Sequence, residues 1–271
     1  MTLSAGIDVG STYTKVAIVD EDGNVAARTE CPTGYNFAHI AEQALTDALA
    51  DGELERGEVA YVAATGYGRY MVPFRDLAIT ELTAHAWAVH QVFPDVRTLL
   101  DVGGQTAKAV RIDERGRVKA FRLNDKCAAG SGAFLEKTAR YLGFTAADIP
   151  ALTEEAAAPA EISSVCAVFA ESEVINHLTS GLSASDICAG GVVALAGRSG
   201  QLVKRVKPEA PYALTGGLTR IPLMKRALEE LLEAEVQVAS DEFGVFAGSI
   251  GAALLGHQRL RKTAAPATAA A

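Results

Sequence analysis

Cys127 lies in a glycine-rich turn that opens a predicted helix. The turn reads Asn-Asp-Lys-Cys-Ala-Ala-Gly-Ser-Gly over residues 124–132, and a helical run follows over residues 133–142. Backbone N–H groups at a helix start lack intrahelical partners and carry the positive end of the helix dipole. We expect such a position to favour a phosphate, a thiolate or a cluster sulfide.

A second cysteine repeats this arrangement. Cys166 follows the residues Ile-Ser-Ser-Val and precedes a helical run over residues 167–178. Two cysteines at the heads of two helices suggest the ligands of a shared metal site, since clusters are held by thiolates. The alternative is that both are small buried hydrophobic residues, as free cysteines usually are. None of the four cysteines, which include Cys31 and Cys188, forms a CxxC pair, so the sequence has no self-contained zinc or cluster motif, and we expect Cys188 to pack.

Two turns that combine an acid with glycine occur in the same setting. Asp8 begins the run Asp-Val-Gly-Ser-Thr between two predicted strands, and Asp101 begins Asp-Val-Gly-Gly-Gln between two others. Turn N–H groups and hydroxyls can bind phosphate, and a carboxylate can hold Mg²⁺ through water. One copy alone is a weak indication. The duplication predicts two hairpins that face each other and clamp a polyphosphate with its metal.

The elements that must position these turns follow from periodicity and turn signals. Strands are predicted at residues 4–9, 14–19, 25–29, 59–64, 97–102, 107–112, 118–123, 212–214 and 236–239. Helices are predicted at residues 36–50, 81–92, 133–142, 167–178, 185–206, 221–232 and 246–260, with Asn36 as the first N-cap. His85 and Trp87 are interpreted as packing residues. The glycine pair after residue 215 would let a flat ring approach the backbone.

Composition narrows the classes of protein. The 271 residues are 49% apolar and 21% charged, which predicts a soluble chain of one large domain or two lobes. A net charge of −8 argues against a nucleic-acid partner. No apolar run reaches the length of a membrane span and no signal peptide is recognised, so we expect a cytoplasmic protein with no membrane partner.

The motifs together resemble a known superfamily. Residues 8–12, 101–105 and 215–217 are similar to the two phosphate motifs and the adenosine motif of acetate kinases, sugar kinases, heat-shock ATPases and actin. Residues 64–69, 124–132 and 162–173 resemble one branch, the ATP-dependent electron activators of 2-hydroxyacyl-CoA dehydratases and the ATP-binding subunits of benzoyl-CoA reductase. The resemblance covers about residues 6–255.

The resemblance implies an α/β fold, a duplicated actin-like (ribonuclease H-like) two-lobe ATPase with the nucleotide in the cleft. The first lobe would span residues 1–98 and be completed by a C-terminal helix at about 243–262. The second lobe, with the cysteine helices, would span residues 99–242, and residues 263–271 would form a disordered tail.

The resemblance also implies roles for individual residues. Cys127 and Cys166 would bind a 4Fe–4S cluster shared between two homologous subunits, in a homodimer or a heterodimer. Catalytic roles fall on Asp8, Asp101 and Gln105, with the two aspartates placing Mg²⁺. The residues that would bind ATP are Gly10, Ser11, Thr12, Lys15, Gly103, Gly104, Lys108, Gly130, Gly132, Gly216 and Gly217.

The implied function is ATP-driven transfer of electrons from ferredoxin or flavodoxin to a subunit that reduces or dehydrates a CoA thioester. Thr106 departs from the family, which usually has a second acidic residue there, and Arg220 replaces a usual asparagine. The missing carboxylate favours the ATP-binding subunit of a benzoyl-CoA reductase over a homodimeric dehydratase activator. A small-molecule kinase that uses Asp101 as base and a nucleotide sensor without turnover are the remaining alternatives.

Overall fold

The structure is a computed structural model that describes residues 2–124, 130–163, 167–240 and 242–264. Cys127, Cys166 and residues 265–271 of the expected tail lie outside the described residues. The chain divides into two compact units. Met1–Val92 and Phe246–Ala271 form the first unit, and Phe93–Val245 forms the second.

A five-stranded mixed sheet forms the base of the first unit, with the strand order β3-β2-β1-β4-β5. Its strands are β1 (Leu3–Val9), β2 (Tyr13–Val19), β3 (Val25–Pro32), β4 (Val59–Thr65) and β5 (Leu77–Ala78). The pairs β1–β2 and β2–β3 are antiparallel, whereas β1–β4 and β4–β5 are parallel. Every residue of the central strand β1 is buried, which explains its nearly continuous apolar sequence.

The sheet of the second unit has the same topology. Its strands are β6 (Thr98–Val102), β7 (Ala107–Ile112), β8 (Val118–Asn124), β9 (Tyr212–Thr215) and β10 (Val236–Gln237), in the order β10-β9-β6-β7-β8. β6–β7 and β7–β8 are antiparallel, and β6–β9 and β9–β10 are parallel. The predicted duplication therefore extends from the two turns to whole sheets.

Eight α-helices complete the described parts of the two units. They are α1 (Phe37–Asp51), α2 (Glu81–Val92), α3 (Gly132–Tyr141), α4 (Ile149–Glu154), α5 (Ala167–Thr179), α6 (Ala184–Lys204), α7 (Pro222–Leu232) and α8 (Phe243–Ala264). The boundary between the units falls within α8, after Val245. The predicted N-cap of α1 is confirmed, because Asn36 Oδ1 accepts a hydrogen bond from the His39 N–H at 3.2 Å.

Glycines allow β1, α2 and α8 to approach one another closely in the first unit. A side chain at Gly6 of β1 would overlap the Ser249 carbonyl of α8. A side chain at Gly251 of α8 would overlap the Ala84 carbonyl of α2. Backbone therefore meets backbone at both places, and the three elements have fixed positions relative to one another.

The structure contains two short elements that the sequence did not predict, β5 and α4. β5 has two residues and α4 has six, so neither is long enough to show a period. α8 begins at Phe243, three residues before the run predicted from periodicity and at the start that the resemblance implied. It continues to Ala264, two residues into the segment expected to be a tail. Among the described residues, no helix combines the length and the apolar character needed to cross a membrane.

Candidate functional site

The first acid–glycine turn is a tight hairpin between β1 and β2. Asp8 is the penultimate residue of β1 and has only 8% of its surface exposed, and Lys15 stands opposite it in the strand register. The Gly10 N–H donates to the Tyr13 carbonyl at 3.1 Å and closes the turn. A β-carbon at Gly10 would lie 2.6 Å from that carbonyl, so the turn requires glycine.

The second turn reproduces this geometry between β6 and β7. Asp101 is 4% exposed, and the Gly103 N–H donates to the Thr106 carbonyl at 2.8 Å. Lys108 stands opposite Asp101 and places its Nζ 2.8 Å from Asp101 Oδ2. The Thr215 hydroxyl donates to Asp101 Oδ1 at 3.3 Å. Both oxygens of this buried carboxylate are therefore held by neighbouring side chains.

Each acid also has a threonine beside it on the parallel strand. Thr65 at the end of β4 pairs with Asp8, and Thr215 at the end of β9 pairs with Asp101. The sequence predicts that the Thr-Gly pair at the end of β9 belongs to the adenosine site, and it predicts no role for the Thr-Gly pair at the end of β4. A signal was present, because both strands end in Thr-Gly, but the chain between each acid and its threonine differs in length.

The glycine after each threonine has a backbone that other residues rarely adopt. Gly66 has φ +88° and Gly216 has φ +91°. A β-carbon at Gly66 would lie 2.5 Å from Asp8 Oδ1, and one at Gly216 would lie 2.8 Å from Asp101 Oδ1. Each acid therefore fits against bare backbone, and both glycines belong to the candidate site.

Two threonine hydroxyls in the first unit have no protein partner within the described residues. The oxygen atoms Thr12 Oγ1, in the turn after β1, and Thr65 Oγ1, beside Asp8, are both buried. A buried hydroxyl without a partner is costly, and sites of this kind usually serve water or a ligand. Ser11, between Gly10 and Thr12, is exposed, and Lys15 Nζ lies 3.9 Å from Glu30 Oε1.

The start of α3 corrects one expectation. Unpaired N–H groups were expected at this helix start, but the Gly132 N–H donates to the Gly103 carbonyl at 3.0 Å. The Ala133 N–H donates to the Gly104 carbonyl at 2.6 Å. These groups are used because the helix start packs directly onto the second hairpin, and they brace that turn. Gln105, at the tip of the hairpin, is exposed.

The other glycines of the predicted nucleotide site differ in their surroundings. Gly130 packs against Asn124, whose side-chain amide fills the position that a β-carbon would take. Gly217, which begins a 3-10 helix, has no atom within 4 Å of its β-carbon position among the described residues. The Gly216 N–H donates to the Gly244 carbonyl at 2.7 Å. Of these positions, Gly217 has the open space that a flat ring requires.

Comparison with known proteins decides the family. Residues 5–256 match the model of the BadF/BadG/BcrA/BcrD ATPase family. The chain belongs to this family.

Named relatives of this ATPase include activators and a reductase component. The activator of lactoyl-CoA dehydratase of Anaerotignum propionicum is 38% identical, over 95% of this chain and 98% of the relative. A benzoyl-CoA reductase subunit of Thauera aromatica is 36% identical, over 97% and 96%. A solved structure, the activator of the 2-hydroxyisocaproyl-CoA dehydratase from Clostridium difficile with bound ADPNP, matches with a TM-score of 0.91 at 32% identity and covers all of both chains. The predicted actin-like two-lobe fold is confirmed.

The structure describes two of the cysteines, Cys31 and Cys188, and both are poor candidates for metal ligands. Cys188 is fully buried in the hydrophobic core of the second unit, as predicted, and burial raises its pKa to about 11. Burial, with a smaller contribution from nearby Asp47, raises the pKa of the Cys31 thiol. A metal ligand must be a thiolate, and both environments disfavour that form.

Each unit has one buried carboxylate, Asp8 or Asp101, of the kind that can bind Mg²⁺ through water. Within the described residues, no three metal-ligating side chains form a cluster. Mg²⁺ usually needs fewer, since it is bound through one or two carboxylates together with phosphate oxygens and water. In this ATPase the buried acids at the two strand ends supply oxygens of the right kind.

Proposed function

We propose that this chain is an ATP-hydrolysing subunit that drives low-potential electrons into a partner acting on a CoA thioester. The observation that carries the proposal is the matched pair of hairpins. Each has a buried aspartate, a glycine-closed turn and a Thr-Gly strand end. Full-length similarity to dehydratase activators and to a benzoyl-CoA reductase subunit supports the electron-transfer role.

The hairpins supply the groups that phosphate transfer needs. Turn N–H groups and the Thr12 hydroxyl bind phosphate oxygens, and Lys15 adds a positive charge in the first unit. Asp8 and Asp101 would orient the water ligands of Mg²⁺, an ion that neutralises phosphate charge when it is bound. Lys108 keeps the Asp101 carboxylate in place by the 2.8 Å contact of the two side chains.

The adenosine half of the nucleotide is assigned to the strand end of β9. Gly216 and Gly217 together leave backbone uncovered, and the β-carbon position of Gly217 is open. Arg220, which replaces the asparagine usual in the family, pairs with Glu242 at 2.7 Å. We assign this ion pair to the edge of the adenosine site, where it bridges the end of β9 and the start of α8.

Cys127 and Cys166 are the ligands that we assign to a 4Fe–4S cluster. A cluster requires four thiolates, and Cys31 and Cys188 are poor candidates for the other two, because burial raises the pKa of both thiols. Two subunits with two cysteines each would complete the set. When bound, the cluster would accept a single electron from ferredoxin or flavodoxin, and ATP hydrolysis by the chain would make its onward transfer favourable.

Two partners fit the proposal. A 2-hydroxyacyl-CoA dehydratase is favoured by the identity of 38% to the lactoyl-CoA dehydratase activator. A benzoyl-CoA reductase is favoured by Thr106, because a weakened hydrolytic site is easier to tolerate when another subunit shares the turnover. Anaerobic purification from the source cells, followed by identification of the co-purifying protein, distinguishes them. Recovery with a kinase substrate and without iron would support the small-molecule kinase instead.

ATP turnover in the purified complex tests the catalytic half of the proposal. Asp8→Asn should remove Mg²⁺-dependent hydrolysis and leave ADPNP binding without Mg²⁺ within about twofold of wild type, because Asp8 acts through the metal. A wild-type complex that binds ATP but never hydrolyses it would favour the nucleotide sensor.

A further inference from the structure

A buried histidine approaches the same point as the carboxylate of Asp8. His85 lies in α2 and is 6% exposed. A β-carbon at Gly248 of α8 would lie 2.6 Å from Asp8 Oδ2 and 2.9 Å from His85 Nε2. The imidazole and the carboxylate therefore both lie against the bare backbone of Gly248, and they come from two different elements.

Close backbone packing fixes this meeting point. Gly6 places β1 directly on the Ser249 carbonyl, and Gly251 places α8 directly on the Ala84 carbonyl, next to His85. α8 cannot shift toward β1, and α2 cannot shift toward α8, without overlap. The backbone that carries His85 therefore has a fixed position relative to β1.

In the second unit, the corresponding aspartate also has a nitrogen-bearing side chain beside its Oδ2. Asp101 Oδ2, the equivalent oxygen, has Lys108 Nζ 2.8 Å away. Lys15 occupies the matching place opposite Asp8, and its Nζ lies 3.9 Å from Glu30 Oε1. In the first unit, the Oδ2 side of the acid has His85 as an additional neighbour.

We propose that His85 is a positioning residue for ATP hydrolysis, which fixes the carboxylate of Asp8 through Nε2. An imidazole with its proton on Nε2 donates one directed hydrogen bond, which sets the rotation of a carboxylate better than solvent does. Asp8 Oδ1 then faces Gly66. The inference rests on the proposed function, because it needs Asp8 to act on the metal of the nucleotide.

Two amide variants of the full chain test the proposal. The amide nitrogen of His85→Gln reaches about as far as Nε2, whereas that of His85→Asn ends nearer to Nδ1. We expect His85→Asn and His85→Ala to lower kcat for ATP hydrolysis about tenfold with KM for ATP unchanged, and His85→Gln to stay within about threefold of wild type. If His85→Ala fails to fold, the comparison of His85→Gln with His85→Asn still tests the proposal.

A binding measurement provides a readout that does not depend on turnover. The gain in ADPNP affinity on adding Mg²⁺, measured by calorimetry, should shrink several-fold in His85→Asn and be retained in His85→Gln. His257→Ala is the matched control, because His257 is also a 6% exposed histidine of the first unit but packs elsewhere, beside Arg261. It should change neither the kcat nor the Mg²⁺ gain.

Three results would overturn the inference: a wild-type kcat in His85→Asn, equal losses in the Gln and Asn variants, or a change in KM alone. The last two would indicate a role in packing. Asp8→Asn separates this failure from that of the proposed function. If Asp8→Asn hydrolyses ATP normally, the assignment of Asp8 is wrong. If it does not, and His85→Asn does, only the inference about His85 is wrong.

Discussion

The buried ion pair of the second unit allows a quantitative test of the site. Lys108→Met keeps the aliphatic stem and removes the ammonium group that lies 2.8 Å from Asp101 Oδ2. The side chains of Lys108 and Asp101 are only 12% and 6% exposed. Removing one member of a buried pair leaves an uncompensated charge and typically costs about 3–5 kcal/mol. Because slight exposure to solvent remains, we expect a cost of about 3 kcal/mol, at the low end of that range.

Scanning calorimetry of the full chain measures this cost as a fall in Tm. A unit of this size loses about 2–4 °C per kcal/mol, so Lys108→Met should lower its transition by about 6–12 °C. The control is Arg111→Met on the same strand, whose partner Glu209 lies at 2.7 Å. That pair is 29% and 56% exposed, and it should contribute about 0–1 kcal/mol.

A double variant separates charge from packing. Asp101→Asn in the Lys108→Met background removes the uncompensated carboxylate, so it should recover about half of the lost Tm. Equal falls in Tm for Lys108→Met and Arg111→Met, or no recovery in the double variant, would refute the reasoning that Lys108 balances a buried charge.

Glycine, cysteine and threonine positions give three further tests. Gly216→Ala should lower the Tm of the second unit, because a residue with a side chain at φ +91° is strained by about 1–2 kcal/mol. Gly217→Ala should keep the Tm and weaken ADPNP binding, because its β-carbon position is open. The reverse pattern would contradict the adenosine assignment. Iodoacetamide should leave Cys188 unmodified at about pH 8 in the folded chain, because burial raises its pKa to about 11, and mass spectrometry would show any labelling. Thr106→Asp should raise ATP turnover roughly tenfold, about 1.4 kcal/mol of barrier, without a matching gain in electrons delivered. An unchanged ratio of ATP consumed to electrons delivered would mean that Thr106 suits this site and would remove its support for the benzoyl-CoA reductase partner.

The sequence was sufficient to predict the duplicated hairpins because their chemistry is local. Asp8 and Asp101 are each followed by a valine and a glycine, and each lies between two strands that read as apolar runs. A turn closed by the hydrogen bond of Gly10 or Gly103 involves only neighbours within a few residues. Local patterns of this kind are visible in a single sequence.

Contacts between distant parts of the chain could not be predicted from the sequence. Thr65 pairs with Asp8 through a parallel register that forms only when β4 joins β1. His85 was interpreted as a packing residue because it lies within a predicted helix. Its meeting with Asp8 depends on Gly248, which is far away in the chain. The N–H groups at the start of α3 were expected to be unpaired, since nothing local shows that Gly103 would approach Gly132.

The central claim is that ATP hydrolysis by this chain delivers electrons through a cluster held by Cys127 and Cys166. The direct measurement uses anaerobically purified protein, reduced and mixed with the reconstituted partner, with electron transfer followed in the presence of ATP, ADP or ADPNP. We expect about two iron atoms per chain and transfer with ATP alone, and no iron in Cys127→Ala or Cys166→Ala, with iron retained in Cys31→Ala. Iron that persists in both variants, or transfer at the same rate with ADP, would contradict the claim.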